Sequence, residues 1–199
     1  MIYPRITPDG KLIDEGQMVG GKEHLSSQHR FLSVSGTIGD EIDACNLLLA
    51  FDSMSHKPIK LSVHSPGGSV DSAFMFYDTF KQIKSPIYTW GRICCSAAVI
   101  LLAGGQRGHR FLSPHSKVML HLVSGTVSGN QEEIAIQNRE MEDYQNKFID
   151  VLRECGVKRV KKQIMGDIRK EFWLNAQEAI EYGLADKVMD KATLKEWFK

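Results

Sequence analysis

Apolar and small polar residues alternate in FLSVSG at 31–36, the period of a half-buried strand, and Gly36 and Gly39 break the run. From 41 to 54 the pattern changes to helical spacing, with Ile42, Cys45, Leu48, Leu49 and Ala50 on it. Pro58 closes that segment and IKLSV at 59–63 predicts a second strand. SPGGS at 65–69 then reads as a sharp turn. A helix is predicted from about Val70 to Ile83, turning Val70, Phe74, Tyr77 and Phe80 inward, and a third strand at Ile87–Trp90. SAAVILLAG at 96–104 predicts a short helix that is apolar all round and therefore central. KVMLH at 117–121 predicts a strand that delivers His121, followed by a loop at 122–129.

The longest helical segment runs from about Asn130 to Glu154. Its apolar stripe (Ile134, Met141, Phe148, Val151) is narrow, and Glu132, Glu133, Glu140, Glu142 and Asp143 crowd its other faces. Such a helix lies on the surface or packs against something outside the domain. Asn175 and Glu178 form a capping-box pattern for a helix at 175–182, which Gly183 ends before a short strand at 187–189. Short strands alternating with helices predict an α/β fold of parallel βαβ units with helices outside. Residues 1–30 carry Pro4, Pro8 and four glycines without periodicity and read as an N-terminal arm; 31–199 reads as one domain.

Composition narrows the class. Apolar residues make up 42% and charged residues 25%, as in globular proteins, and the net charge of +1 gives no electrostatic case for nucleic acid or a membrane as partner. Lys158, Arg159, Lys161 and Lys162 read as a solvated helix face. Cys45, Cys94, Cys95 and Cys155 lack metal-ligand spacing, and the adjacent Cys94 and Cys95, set in an apolar run, read as buried, reduced thiols. No basic-then-apolar leader and no long apolar span are seen, so the expectation is a cytoplasmic protein.

Three places could carry chemistry. Ser96 stands between an apolar strand and a helix, where unpaired N–H groups favour developing negative charge, although a capping serine is the simpler reading. Gly67 and Gly68 let the backbone come close to a ligand, and the N–H groups of Gly68 and Ala97 could form an oxyanion hole; a plain turn is the simpler reading. His121, at a strand end before a flexible loop, suits a general base, against a satisfied surface or core histidine. His109, His115 and His121 recur every six residues with Pro114 between them, which is no helix face, so no metal and no cofactor are expected. An imidazole base needs an orienting acid; Asp167 and Glu171 are both candidates, and spacing does not choose.

SPGGS at 65–69, CSAAVILLAGGQRGHRFLSPHSKVMLH at 95–121 and NAQEAIEYGLADKV at 175–188 together resemble the proteolytic subunit of the Clp protease, over roughly Phe31 to Met189. The resemblance implies a crotonase-like α/β fold: a globular head and a protruding helical handle at about 122–155, with residues 1–30 as an N-terminal arm or axial loop. It implies a serine endopeptidase acting on unfolded polypeptides inside a chamber of two heptameric rings, fourteen subunits, homomeric or mixed with a paralogue, served by an ATP-driven AAA+ unfoldase. It implies Ser96 as nucleophile, His121 as base, Gly68 and Ala97 as oxyanion hole, and Glu171 at the acid position, with Asp167 as the alternative. A peptide groove would involve Gly67, Ser69, Leu122, Val123, Ser124 and Gly125.

The chain departs from the family pattern at several points. Arg92 stands where a glycine is usual, Leu122–Val123 replaces a Q-P pair, and Lys170–Glu171 replaces arginine–aspartate. These departures allow a second expectation, a weak or inactive ring subunit that supports an active paralogue. An acyl-CoA hydratase or isomerase of the same broad fold is a third; the joint serine and histidine match argues against it.

Overall fold

The computed structural model describes residues 29–39 and 42–198, together with a two-stranded antiparallel pair, β1 (Arg5–Ile6) and β2 (Leu12–Ile13). Most of the predicted arm at 1–30 lies outside the described residues. The main sheet is built from β3 (Phe31–Ser35), β4 (Ile59–Ser65), β5 (Ile87–Cys95), β6 (Arg110–Leu120) and β7 (Phe172–Asn175), in that spatial order, with β8 (Lys187–Val188) beside β6. The helices are α1 (Ile42–Met54), α2 (Val70–Gln82), α3 (Ala98–Ala103), α4 (Gln131–Glu154), α5 (Lys161–Asp167), α6 (Ala176–Tyr182) and α7 (Lys191–Trp197). None of the described helices is long and apolar enough to cross a membrane.

The α/β expectation holds, with one correction: the sheet is mixed. β3 to β6 pair in parallel, but β7 runs antiparallel to β6. Two strands are also longer than their patterns predict. β5 continues past Trp90 to Cys95, and β6 begins at Arg110. Between them the register moves from Gly91↔Leu112 to Ile93↔Lys117, so residues 113–116 bulge opposite Arg92. Pro114 sits in that bulge, where its missing N–H costs no ladder bond.

One face of the sheet is closed by α1, α2 and α3 around a core that includes Val34, Leu48, Phe51, Leu61, Phe76 and Leu120. Every residue of α3 is buried, as its all-round apolarity requires. Inward positions on α2 are Ala73, Phe76, Tyr77, Thr79 and Phe80; Val70 and Phe74, expected inside, are half-buried. Ile42 and Leu49 of α1 are exposed although they fit the helical spacing. On the opposite face α7 carries Trp197 against Phe111, Trp90 and Phe31. Asp186 links the sheet to the helical face: its carboxylate takes two hydrogen bonds from the buried Arg110 guanidinium, at 3.0 and 2.7 Å, and one each from the Arg110 and Gly108 N–H groups, while the same guanidinium donates to the Ala103 and Cys155 carbonyls.

Helix α4 changes character along its length. Asn130 and Glu133 close a capping box at its start. No residue from 131 to 144 is buried, whereas Gln145, Phe148, Ile149 and Leu152 are. The apolar stripe therefore seats only the second half. The basic stretch at 158–162 is mostly exposed, with Arg159 paired to Asp167 at 3.2 Å and Lys161 to Asp150 at 3.2 Å. All four cysteines are buried.

Candidate active site

The carboxyl ends of β4, β5 and β6 meet at one place, and each brings a piece of the site. β5 ends at Cys95 and α3 starts at Ala98, so Ser96 lies in the joint. Its backbone is left-handed, with φ of +55°. That conformation costs an L-residue about 1–2 kcal/mol. It is held from both sides: the Ser96 N–H donates to the Met119 carbonyl at 2.8 Å, and the Ser96 carbonyl accepts from the Val99 N–H at 3.0 Å. The helix N-cap is Ala97, so Ser96 does not cap α3 with its side chain. Its hydroxyl is turned the other way and lies 2.7 Å from His121 Nε2.

His121 directly follows β6, which is how the parallel β5–β6 ladder delivers it beside Ser96 (Cys95 pairs with Met119). The turn after β4 packs underneath. A Cβ on Gly67 would stand 2.7 Å from Cys95 O and from Ser96 Cβ, so only glycine fits behind the serine. Gly68, at φ of +146°, forms a parallel bridge with Ile38. That bridge spends the Gly67 carbonyl and the Ser69 N–H on Ile38. Neither the Gly68 nor the Ala97 N–H has an acceptor among the described residues. Both backbone donors are thus unspent.

The structure parts the two acid candidates. Asp167 accepts from the Tyr182 hydroxyl at 2.9 Å and pairs with Arg159, which ties α5 to α6 and commits it structurally. Glu171 is exposed and one step beyond the last β6–β7 pair, Leu120↔Phe172, so the register sets it against His121. Its carboxylate nevertheless accepts from Trp173 Nε1 at 2.9 Å. Neither carboxylate is hydrogen-bonded to His121. Glu171 is close enough to act on the Cys95 thiol: burial pushes that thiol up, and the Glu171 charge adds to the shift.

Of the groove residues, Gly67 is buried beneath Ser96, and Ser69 caps α2 by accepting from the Ser72 N–H at 3.2 Å. Leu122, Ser124 and Gly125 are exposed, and the Val123 N–H donates to Gln145 Oε1 at 2.6 Å. Arg92 stacks on Trp90 with its guanidinium 4.3 Å from the ring centroid. Three participants were not singled out in the sequence: Trp173, Gln145 and the Met119 carbonyl. Trp173 lies two residues from Glu171, a spacing that puts both on one strand face once β7 is known. Nothing in the pattern marks the other two.

The Clp protease family model matches residues 23–192, which contain every residue of this site. The ATP-dependent Clp protease proteolytic subunit 1 of Rhodopirellula baltica is 41% identical over 136 residues, 67% of this chain and 59% of that protein. The chain therefore spans less than two thirds of the length of that relative. A family match across most of the chain, over a mixed α/β sheet that ends in the Ser96–His121 contact, leads to one conclusion: the chain belongs to the Clp protease proteolytic subunit family.

Proposed function

We propose that this chain is a serine endopeptidase subunit that cuts unfolded polypeptides inside a ring-built chamber. The observation that carries the reading is the 2.7 Å contact between the Ser96 hydroxyl and His121 Nε2. In the proposed reaction His121 takes the hydroxyl proton as Ser96 Oγ attacks the peptide carbonyl. The tetrahedral oxyanion forms between the N–H groups of Gly68 and Ala97. His121 returns the proton to the leaving amine, and water, activated by the same imidazole, releases the acyl group from Ser96. The extended substrate lies beside 122–125, its backbone pairing as an added strand, with Gly67 and Ser69 shaping the floor. Glu171 is the proposed orienting acid.

The assembly belongs to the same proposal: a crotonase-like head from residue 31 onward, a handle over about 122–155, and an N-terminal arm at 1–30. The exposed first half of α4 supports the handle, because a helix with no buried residue over 131–144 gains from a partner. We place the subunit in two stacked heptamers, homomeric or shared with a paralogue, in the cytoplasm, fed by an AAA+ unfoldase. One observation favours a weaker subunit: His121 has no carboxylate bonded to it among the described residues. The experiment that separates the readings is reaction of the assembled protein with a serine-reactive fluorophosphonate. Wild type is expected to react and S96A not, with assembly intact in both. Equal labelling of the two would refute the assignment, and absence of labelling in wild type would select the inactive subunit.

A further inference from the structure

Three features converge on Trp173. First, antiparallel pairing sets Met119 against Trp173, and the same register carried two residues on, past the last pair Leu120↔Phe172, sets His121 against Glu171. Side chains directly opposite in such a ladder share a face, as do residues two apart, so His121, Glu171 and Trp173 stand together. Second, Glu171 is the carboxylate that the register aims at His121, whereas Asp167 is committed to Tyr182 and Arg159. Third, Glu171 does not take up that position: the Trp173 Nε1–H holds its Oε2 at 2.9 Å. Trp173 is half exposed, so its ring is not locked by packing.

We propose that Trp173 is a positioning residue that latches Glu171 along β7 and so keeps His121 without its acid at rest. The inference rests on the reading of Ser96 and His121 as nucleophile and base. Two donors, the Trp173 indole N–H and the His121 Nδ1–H, compete for one carboxylate. The side chain that wins sets whether the imidazole is oriented. A substrate backbone or neighbouring subunit that displaces the exposed indole frees Glu171 to turn through its own rotamers to His121. The serine–histidine pair is then preformed, and the third member joins it on demand.

The test uses the assembled protein with W173F, E171Q and the double variant W173F/E171Q. Phenylalanine keeps the ring and removes only the N–H. Loss of one competing hydrogen bond shifts the carboxylate toward His121 by about fivefold in population. W173F should therefore react with the fluorophosphonate about fivefold faster than wild type, and W173F/E171Q should match E171Q. Independently of reactivity, the His121 pKa, followed by NMR in histidine-labelled S96A protein, should rise with W173F, because a nearby carboxylate favours the imidazolium. It should not rise when E171Q is added. An unchanged His121 titration in W173F, or a change that persists in the double variant, overturns the latch. Failure of wild type to label would count against the peptidase reading alone, since the titration still decides the latch.

Discussion

Replacing Gly68 by alanine should cost catalysis as well as stability, whereas a glycine with the same kind of strain away from the site should cost stability alone. A Cβ at Gly68 would lie 2.1 Å from the Ile38 carbonyl oxygen and 2.8 Å from its nitrogen, both backbone atoms. A carbon–oxygen contact needs about 3.3 Å, so the turn must retreat by about 1 Å. The Ile38 bridge, made by Ile38 N to Gly67 O at 2.8 Å and Ser69 N to Ile38 O at 2.9 Å, resists that movement. An oxyanion donor works at about 2.7–3.1 Å, so a shift of that size takes the Gly68 N–H out of range. The expected loss is about 10²–10³ in kcat, or roughly 2.7–4 kcal/mol of transition-state stabilisation. The control is Gly36→Ala: Gly36 also has positive φ, +81°, but nothing lies within 4 Å of its added Cβ. It should lose about 1–2 kcal/mol of stability from backbone strain alone and keep its peptidase rate. The assay is peptide hydrolysis by the assembled protein well below the Tm of each variant. Full activity in Gly68→Ala, with the particle intact, would refute the placement of the oxyanion hole.

The Arg110–Asp186 pair gives a stability prediction with a defined pH dependence. Burial pushes the Asp186 carboxyl up, but the hydrogen bonds and charge of Arg110 overcome it and leave it below the ordinary carboxylate value. A depressed folded value means stability that is full above the unfolded pKa of about 3.9 and lost as pH falls through the folded one. Asp186→Asn should cost about 3 kcal/mol at neutral pH, the low end for a buried pair because Asp186 keeps some water; the gap in Tm should close on acidification, and a pH-independent gap would contradict the account. Glu171→Ala should slow fluorophosphonate labelling more than Asp167→Ala. Loss of a fully engaged orienting acid costs about 10⁴, and less is expected here because Glu171 already bonds Trp173. Asp167→Ala should instead lower Tm by leaving the buried Tyr182 hydroxyl unpaired, about 1–2 kcal/mol; the opposite ordering of labelling rates would transfer the orienting role to Asp167.

The parts of the fold written in local pattern were legible. The capping box at Asn175 stands where its side chain predicts it, the long helix begins beside Asn130 as expected, and α2 and α3 occupy the expected stretches. β6 was legible only from Lys117 on, because Ser113, Pro114, His115 and Ser116 look like a loop and are in fact a bulge carried within a longer strand. The antiparallel β7 is four residues long with no turn signature before it, so its direction depends on tertiary packing alone. At the site, pattern alone left simpler readings open for Ser96, His121 and Gly68, and the family resemblance singled them out. The left-handed backbone of Ser96 did not show, since its carriers, the Met119 carbonyl and the Val99 N–H, are backbone groups that any residues would supply. Nor did the choice between acids. It turns on Tyr182 and Trp173, which lie fifteen residues from Asp167 and two from Glu171.

Peptide mapping after exposure to fluorophosphonate asks the central question most directly. If the Ser96 hydroxyl is activated by His121, a single adduct should be found on the peptide containing Ser96, and H121A should carry none. An adduct on another residue, or labelling of Ser96 that survives H121A unchanged, would contradict a serine nucleophile driven by that imidazole.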